Sequence, residues 1–360
     1  MLDLSQAWTQ AVAWLASQAV TPLSQALGLG SLLGDPHAIA AAAIIALAQV
    51  AIIALVFRPL ESIMPAERWA DRRLTRVDRL YTLLMVLGLL PLFSYLVLLP
   101  IANLLGLDAN PADGRGSATV LDHWVPWLAQ YPLLLFALYY VVYDLTYYVM
   151  HRLQHAIPWW WALHSMHHSQ RQMSCWTNDR GSYLDAVLQS LILASVGLVM
   201  GVEPSEFALL TLVSELMQNL SHANVAIGFG RVLERVFVDP RFHRLHHMRV
   251  DPARPWLHHC NYGQVLSIWD VVFGTALYGE PARPTGVADP TVDADNERGL
   301  VAMQWETLKR FWGAFSRPEG WQPGEVAFSP DYAPVPVQHG EKEVTGDKEE
   351  VRGQVTGEAR

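Results

Sequence analysis

Charge is scarce in this chain. Asp, Glu, Lys and Arg together make up 16% of its 360 residues, against roughly 25% in an ordinary soluble domain. Hydrophobic residues reach 51%. That balance excludes a disordered chain and argues against a soluble enzyme. Cysteine is nearly absent: Cys175 and Cys260 are the only two, too few for a disulfide framework or a thiolate metal cage. There is no Cys-rich iron–sulfur run, no haem-binding His-Pro-Gly-Gly block and no Gly-rich nucleotide fingerprint after a strand. The net charge of −9 speaks against a nucleic-acid partner. The first residues lack the basic region of a cleavable signal peptide, and none is expected.

What is present is apolar length. Three segments carry no charge: Ala38 to Phe57, Tyr81 to Leu107 with Pro91 and Pro100 inside it, and Trp124 to Tyr143. Each reaches the ~20 residues that span ~30 Å of hydrocarbon as a helix. A fourth apolar region, Ala186 to Val202, is followed by a Glu203-Pro204 turn and by Phe207 to Leu220. It reads as a helical hairpin that enters and leaves on one side. The fold expected is an all-α integral-membrane bundle, with three to four spans plus the hairpin. Residues 1–37 carry no Lys or Arg, whereas the loop from Arg58 to Arg79 carries six arginines. The positive-inside rule makes that loop cytoplasmic, with the N-terminus outside and a histidine-rich cap in the cytoplasm. Leu2 to Leu29 is expected at the outer interface, and Trp159-Trp160-Trp161 as an interfacial anchor. Gly340 to Arg360 reads as a disordered tail. Arginine outnumbers lysine 22 to 3 and no organelle signal is seen, which suits a bacterial inner membrane.

Histidine is abundant: 14 residues, 11 of them between His151 and His259. His151 and His155 are spaced i, i+4. His164, His167 and His168 are spaced i, i+3, i+4, and His243, His246 and His247 repeat that pattern. On a helix such spacings bring imidazoles onto one face. Pro158 suits a first helical turn. Asp239 and Pro240 suit an N-cap and N1, and Asp251-Pro252 a stop. Imidazole is a ligand for Zn, Fe, Cu and Ni. Eight histidines in three groups exceed the need of one metal and fit two. For His37, His123 and His339, standing alone, an ordinary surface role is expected.

The blocks His151-Arg152-Leu153-Gln154-His155, His164-Ser165-Met166-His167-His168 and His243-Arg244-Leu245-His246-His247 resemble the histidine boxes of the fatty acid hydroxylase superfamily. That integral-membrane superfamily includes sterol desaturases and alkylglycerol monooxygenase. Asp144 seven residues before His151, the block Ser221-His222-Ala223-Asn224, and the tail Cys260-Asn261-Tyr262-Gly263, Trp269-Asp270 and Phe273-Gly274-Thr275 extend the resemblance over roughly Glu61 to Thr275. The resemblance implies a non-haem diiron centre that activates O2 and hydroxylates or desaturates a C–H bond of a lipid. The ligands it implies are His151, His155, His164, His167, His168, His222, His243, His246 and His247. Either His258 or His259 completes the second metal, with His258 preferred. Nitrogen ligands alone leave zinc open, so iron rests on the resemblance.

Three acids stand out beside the boxes. Asp144 lies in an apolar span on the face of His151 and is expected to orient a ligand imidazole. Glu215 bears the same seven-residue relation to His222. Asp185 opens the hairpin and matches an acidic position of the family. The organisation expected is an interfacial segment (1–37), transmembrane helices with the Arg-rich loop 58–80 (38–143), a catalytic region (144–280), a C-terminal extension (281–339) and the tail (340–360). Electrons are expected from a separate ferredoxin, rubredoxin or cytochrome-type donor, and substrate from the bilayer. The competing reading is a membrane metal-binding or transport protein. A transporter places polar residues in several spans as a pathway, and here only Asp144 and Glu215 qualify.

Overall fold

The computed structural model describes residues 4–28, 35–89, 125–200, 204–249, 259–281 and 283–315. Those residues form helices and turns, with isolated bridges in place of strands. Helix α1 (Leu4–Leu15) continues through a π-helical turn and Thr21–Ala26. Val12 and Ala16 of this segment pack against Ala40, so it lies along the first long helix. That helix, α2, runs Pro36–Ile63. Asp35 caps it by accepting from the His37 amide at 2.9 Å, and Pro36 occupies N1. Helix α3 (Thr75–Leu84) extends as a π-helical turn to Leu89. The rest of the expected second span, residues 90–107, lies outside the described residues.

The third apolar run does not form one span from Trp124. Pro126–Gln130 is a 3-10 turn, Tyr131 is non-helical, and helix α4 starts at Pro132 and runs to Ala156. Proline at 132 fits a first turn and starts the helix late. The span Leu133–Ala156 is therefore displaced towards the C-terminus and carries His151 and His155 on its last turns. Ile157 is extended, as a residue before proline prefers, and this ends α4. Helix α5 (Pro158–His168) begins at once. The hairpin is observed as α6 (Tyr183–Met200) and α7 (Pro204–His222). The short helices α8 (Gly230–Leu233), α9 (Pro240–His246), α10 (Ile268–Phe273) and α11 (Pro290–Asp293) follow, and then α12 (Leu300–Phe315).

Two described helices, α2 and α4, are long and apolar enough to cross a membrane. They expose large apolar side chains, among them Leu47, Leu55, Leu133, Leu134 and Val149. Inside, α5 is the hub. Trp160 and Leu163 pack with Tyr139, Tyr143 and Met150 of α4, Leu193 of α6 and Leu210 of α7. On its other side Trp161 and Ala162 meet Phe311 and Ala314 of α12. Trp160 and Trp161 are thus buried core residues and not interfacial anchors, and Trp159 stacks on Trp160 and Phe315. The indole N–H of Trp160 explains the difference, because it has a buried partner in Asp185 at 2.8 Å.

The Arg-rich segment packs onto the same end of the bundle as the histidines. Glu61 Oε1 accepts from the amides of Cys175 and Asn224, and Oε2 accepts from Arg72 at 2.7 Å. Asp78 of α3 pairs with Arg180 at 3.0 Å, both fully enclosed. Gln49 of α2 donates to Asn219 of α7, which donates in turn to the Cys175 carbonyl.

Candidate metal centre

Nine of the ten histidines expected as ligands converge, and His258 lies outside the described residues. His151, His155, His164 and His168 form one cage, with nitrogens all within 4.8 Å of one another. His167, His222, His243 and His247 form a second. His168, His246 and His247 form a third group that links the two. His168 and His247 stack face to face at 4.2 Å between ring centres. All of these rings are buried.

Local sequence explains the convergence. His151 and His155 leave α4 on one face, and the Ile157-Pro158 break turns the chain so that α5 lays its three histidines across them. Asp239 accepts from the Phe242 amide at 2.8 Å and starts α9 with Pro240 at N1, as expected. The helix stops earlier than expected, at His246. His247 then caps it, and its carbonyl accepts from the Gly286 amide.

The far nitrogens fix the rings. Nδ1 of His151 donates to the Tyr262 carbonyl at 2.8 Å, and that of His246 to the Cys260 carbonyl at 2.7 Å. Nδ1 of His167 donates to the Arg180 carbonyl at 3.0 Å, and that of His222 to the Gln218 carbonyl at 2.7 Å. A carbonyl can only accept, so each Nδ1 carries the hydrogen and each Nε2 keeps a lone pair. Yet Nε2 of His151 stands 3.1 Å from Nε2 of His246, and Nε2 of His167 stands 3.1 Å from that of His222. Two facing lone pairs repel unless a cation or proton lies against both. Protons are disfavoured: burial, then neighbouring histidines, hold His167, His168, His243 and His247 well below the ordinary imidazole range. A metal ion resolves the clash. Two cis ligands about 2.1 Å from one ion are about 3 Å apart. Nε2 of His164, His168 and His247 is also buried with no hydrogen-bond partner among the described residues, so the donor set fits metal ions.

Asp185 opens the hairpin as expected, and Asp144 and Glu215 take other places than the sequence suggested. Asp144 does not orient a histidine directly. Its carboxylate accepts from the amides of Val265 and Leu266 and from the Trp269 indole at 2.9 Å. It pins the tail loop, and so acts on His151 only through the Tyr262 carbonyl that the loop presents. Glu215 is not bonded to His222. It accepts from Asn178 at 2.8 Å and Gln218 at 3.4 Å, and faces a cavity. Asp185 is the carboxylate that meets a cage imidazole: it accepts His164 Nδ1–H at 3.1 Å, with Gln154 and Trp160 also donating. Such outer partners commonly set ligand orientation and basicity. Asp185→Asn is therefore expected to weaken metal affinity about 10–100-fold, measured by chelator competition, with the melting temperature reporting separately on folding.

The tail motif acquires a physical role that spacing did not supply. Asn261 adopts a left-handed backbone (φ 59°), bonds to the Phe242 and Leu277 carbonyls, and accepts from the Leu277 amide. Gly263 has no room for a Cβ, which would meet the Leu266 carbonyl at 2.8 Å. Asp270 takes the amides of Tyr262 and Gly263 and the Thr275 hydroxyl. The whole loop is a bracket that aims two carbonyls, of Cys260 and Tyr262, at His246 and His151. Arg180 plays the same part for the second cage, held by Asp78, Ser169 and the Met166 carbonyl. No sequence signal marked it, because Glu61, Glu67 and Asp71 stand among the same arginines as Asp78.

A cavity of about 240 Å³ adjoins the cages, walled by His164, His167, Tyr143, Leu193, Glu215 and Gln264 among others. It lies between α4, α6 and α7.

Residues 136–275 match the family model described as fatty acid hydroxylase. An ornithine lipid hydroxylase of Rhizobium tropici is 30% identical over 270 residues, covering 74% of this chain and 75% of the relative. The alkylglycerol monooxygenase of Caenorhabditis elegans is 32% identical over 162 residues, 43% of this chain, and the match spans 30% of that longer protein. A Delta(7)-sterol 5(6)-desaturase of Aspergillus fumigatus is 27% identical over 244 residues, 60% of this chain and 71% of the relative. No solved structure matches the chain.

Proposed function

Because the chain belongs to the fatty acid hydroxylase family, we propose that it is a membrane-embedded diiron enzyme that uses O2 to hydroxylate or desaturate a C–H bond of a lipid. The observation that carries this reading is the pair of linked four-histidine cages with inward Nε2 lone pairs. When bound there, iron would supply activation of O2 with two electrons from a separate ferredoxin, rubredoxin or cytochrome-type donor.

The chain's own residues do the rest. The carbonyls of Tyr262, Cys260, Arg180 and Gln218 hold four imidazoles as neutral Nδ1–H tautomers. Asp185 holds His164. Helical spacing on α5 and α9 brings His168, His243 and His247 into the same cages. Tyr143, Leu193 and the indoles of α5 exclude water from the reacting carbon. The cavity beside His164 and His167 receives that carbon. Lipid enters from the bilayer through the α4, α6 and α7 face. The packing of Glu61, Arg72 and Asp78 onto the histidine end supports one shared compartment, read as the cytoplasm from the arginine bias.

Untargeted lipid mass spectrometry tests the reading. Cells expressing the wild type and cells expressing His246→Ala are compared, with the electron donor system present. A lipid class that gains one oxygen, or loses two hydrogens, with the wild type alone is expected. Identical lipidomes from two folded, membrane-inserted proteins would overturn the assignment.

A further inference from the structure

Helix α12 carries two apolar faces. Met303 packs on Tyr81 and Met166, and Phe311 and Ala314 pack on Trp161 and Ala162 of α5. That face is buried against the hub. Val301, Trp305, Leu308, Trp312 and Phe315 lie on another. Their spacing of 4, 3, 4 and 3 residues keeps all five within an arc of about 80° on a helix that turns about 100° per residue. Val301 is 78% exposed, Trp305 62%, Trp312 66% and Phe315 57%. Charge is confined to one flank of this stripe, where Glu306 pairs with Lys309 at 2.8 Å and Arg310 with Asp295 at 2.6 Å.

The fold sets the level at which the stripe lies. Gln304 Oε1 accepts from the amide of Tyr183, the first residue of α6, at 3.0 Å. Gln304 Nε2 donates to the Gly181 carbonyl at 2.8 Å and to the hydroxyl of Tyr81 at 3.0 Å. Tyr81 is where the second charge-free run begins. Towards the other end of α12, Phe311 and Phe315 meet the ring of Trp159, just beyond the last residue of α4. Helix α12 thus lies across the ends of three apolar segments: α4, α6 and the run from Tyr81. The ends of such segments mark the boundary between hydrocarbon and headgroups.

Level and chemistry agree. Indole is favoured at that boundary, where its rings meet apolar matter and its N–H stays wet. A helix pair between two copies of the chain would use the same spacing, but such seams favour Leu, Ile and Val over Trp. We propose that α12 is an in-plane membrane helix whose stripe from Val301 to Phe315 is covered by the lipid boundary on the side where α4 ends. The interfacial tryptophans expected at 159–161 are then Trp305 and Trp312. Because α12 backs α5, whose histidines enter both cages, the membrane surface itself supports the ligand helix. The inference rests on the reading of α4 as a membrane span and not on any oxidation.

The test places the full-length protein in nanodiscs of phosphatidylcholine with phosphatidylglycerol. One nitroxide at a time is attached through Val301→Cys, Phe315→Cys, Glu306→Cys or Val141→Cys, the last on the exposed side of α4. Unsubstituted protein, whose Cys175 and Cys260 are buried, gives the labelling blank. Collisions with O2 and with a water-soluble nickel chelate report depth. The labels at positions 301 and 315 are expected about 5–10 Å below the phosphates, with the label at 306 nearer water and the label at 141 deepest. A label at 141 in lipid, with those at 301 and 315 open to nickel, would overturn the proposal and leave the span intact. A label at 141 open to nickel would overturn the span, and the proposal with it. Spectral broadening at 315 that vanishes on dilution with unlabelled protein would make a second copy the occupant, and would overturn the proposal while sparing the span.

Discussion

Replacing His168 with alanine is expected to abolish turnover and strip iron from the protein. His168 belongs to the first cage and to the linking group, and its ring stacks on His247 of the second cage. Its loss removes a ligand and leaves the facing lone pairs of the remaining rings less well satisfied. The arrangement is shared, so the effect should not stay in one cage: metal content should fall from two ions towards none, and lipid oxidation to background. His37→Ala is the matched control. His37 is exposed beside Asp35 at the start of α2, and its removal should leave both metal and activity unchanged. Inductively coupled plasma mass spectrometry and lipid analysis on the same preparations read both quantities.

The second large effect comes from a residue that touches no histidine. Asp78→Ala is expected to cost about 3–5 kcal/mol, because it leaves a buried guanidinium without its counter-charge. Asp78 Oδ1 meets Arg180 at 3.0 Å, and Oδ2 accepts from Gln170 at 2.6 Å and from Thr177 at 2.9 Å. Removing it frees Arg180, whose carbonyl fixes His167. The melting temperature should drop sharply, and whatever protein remains folded should bind metal more weakly. Replacing the pair together, Asp78→Ala with Arg180→Met, should recover much of the stability, since a buried pair removed as a unit costs far less than one broken. It should not recover metal affinity in full if the arginine backbone has moved. A single variant that melts like the wild type would contradict the role given to this pair.

These two cases mark what the sequence could show. The box histidines were legible because helical spacing alone sets which rings share a face, and α4, α5 and α9 deliver them as spacing requires. The hairpin was legible because its apolar runs flank Pro204. The partners of the imidazoles were not legible, because four of them are backbone carbonyls, of Tyr262, Cys260, Arg180 and Gln218, and a carbonyl leaves no mark in a sequence. Asp144 was misassigned for a related reason. Seven residues along a helix put it on the face of His151, but a loop more than a hundred residues later arrives to take its oxygens. Asp185 reaches His164 only because α6 folds back on α5. The tryptophan run looked like a membrane belt by composition, whereas packing against α4, α6 and α12 makes two of its three rings core. The late start of α4 follows from Pro132, a signal present in the chain but outweighed by the continuous apolar run around it.

The most direct test of the account is the metal content of the full-length wild-type protein, purified in mild detergent without added metal. The linked cages predict two iron ions per chain, lost together on prolonged chelation and restored together by ferrous iron. A single ion, or zinc in both positions with no oxidation of any lipid, would contradict a two-metal oxygenase and move the chain to the metal-binding class.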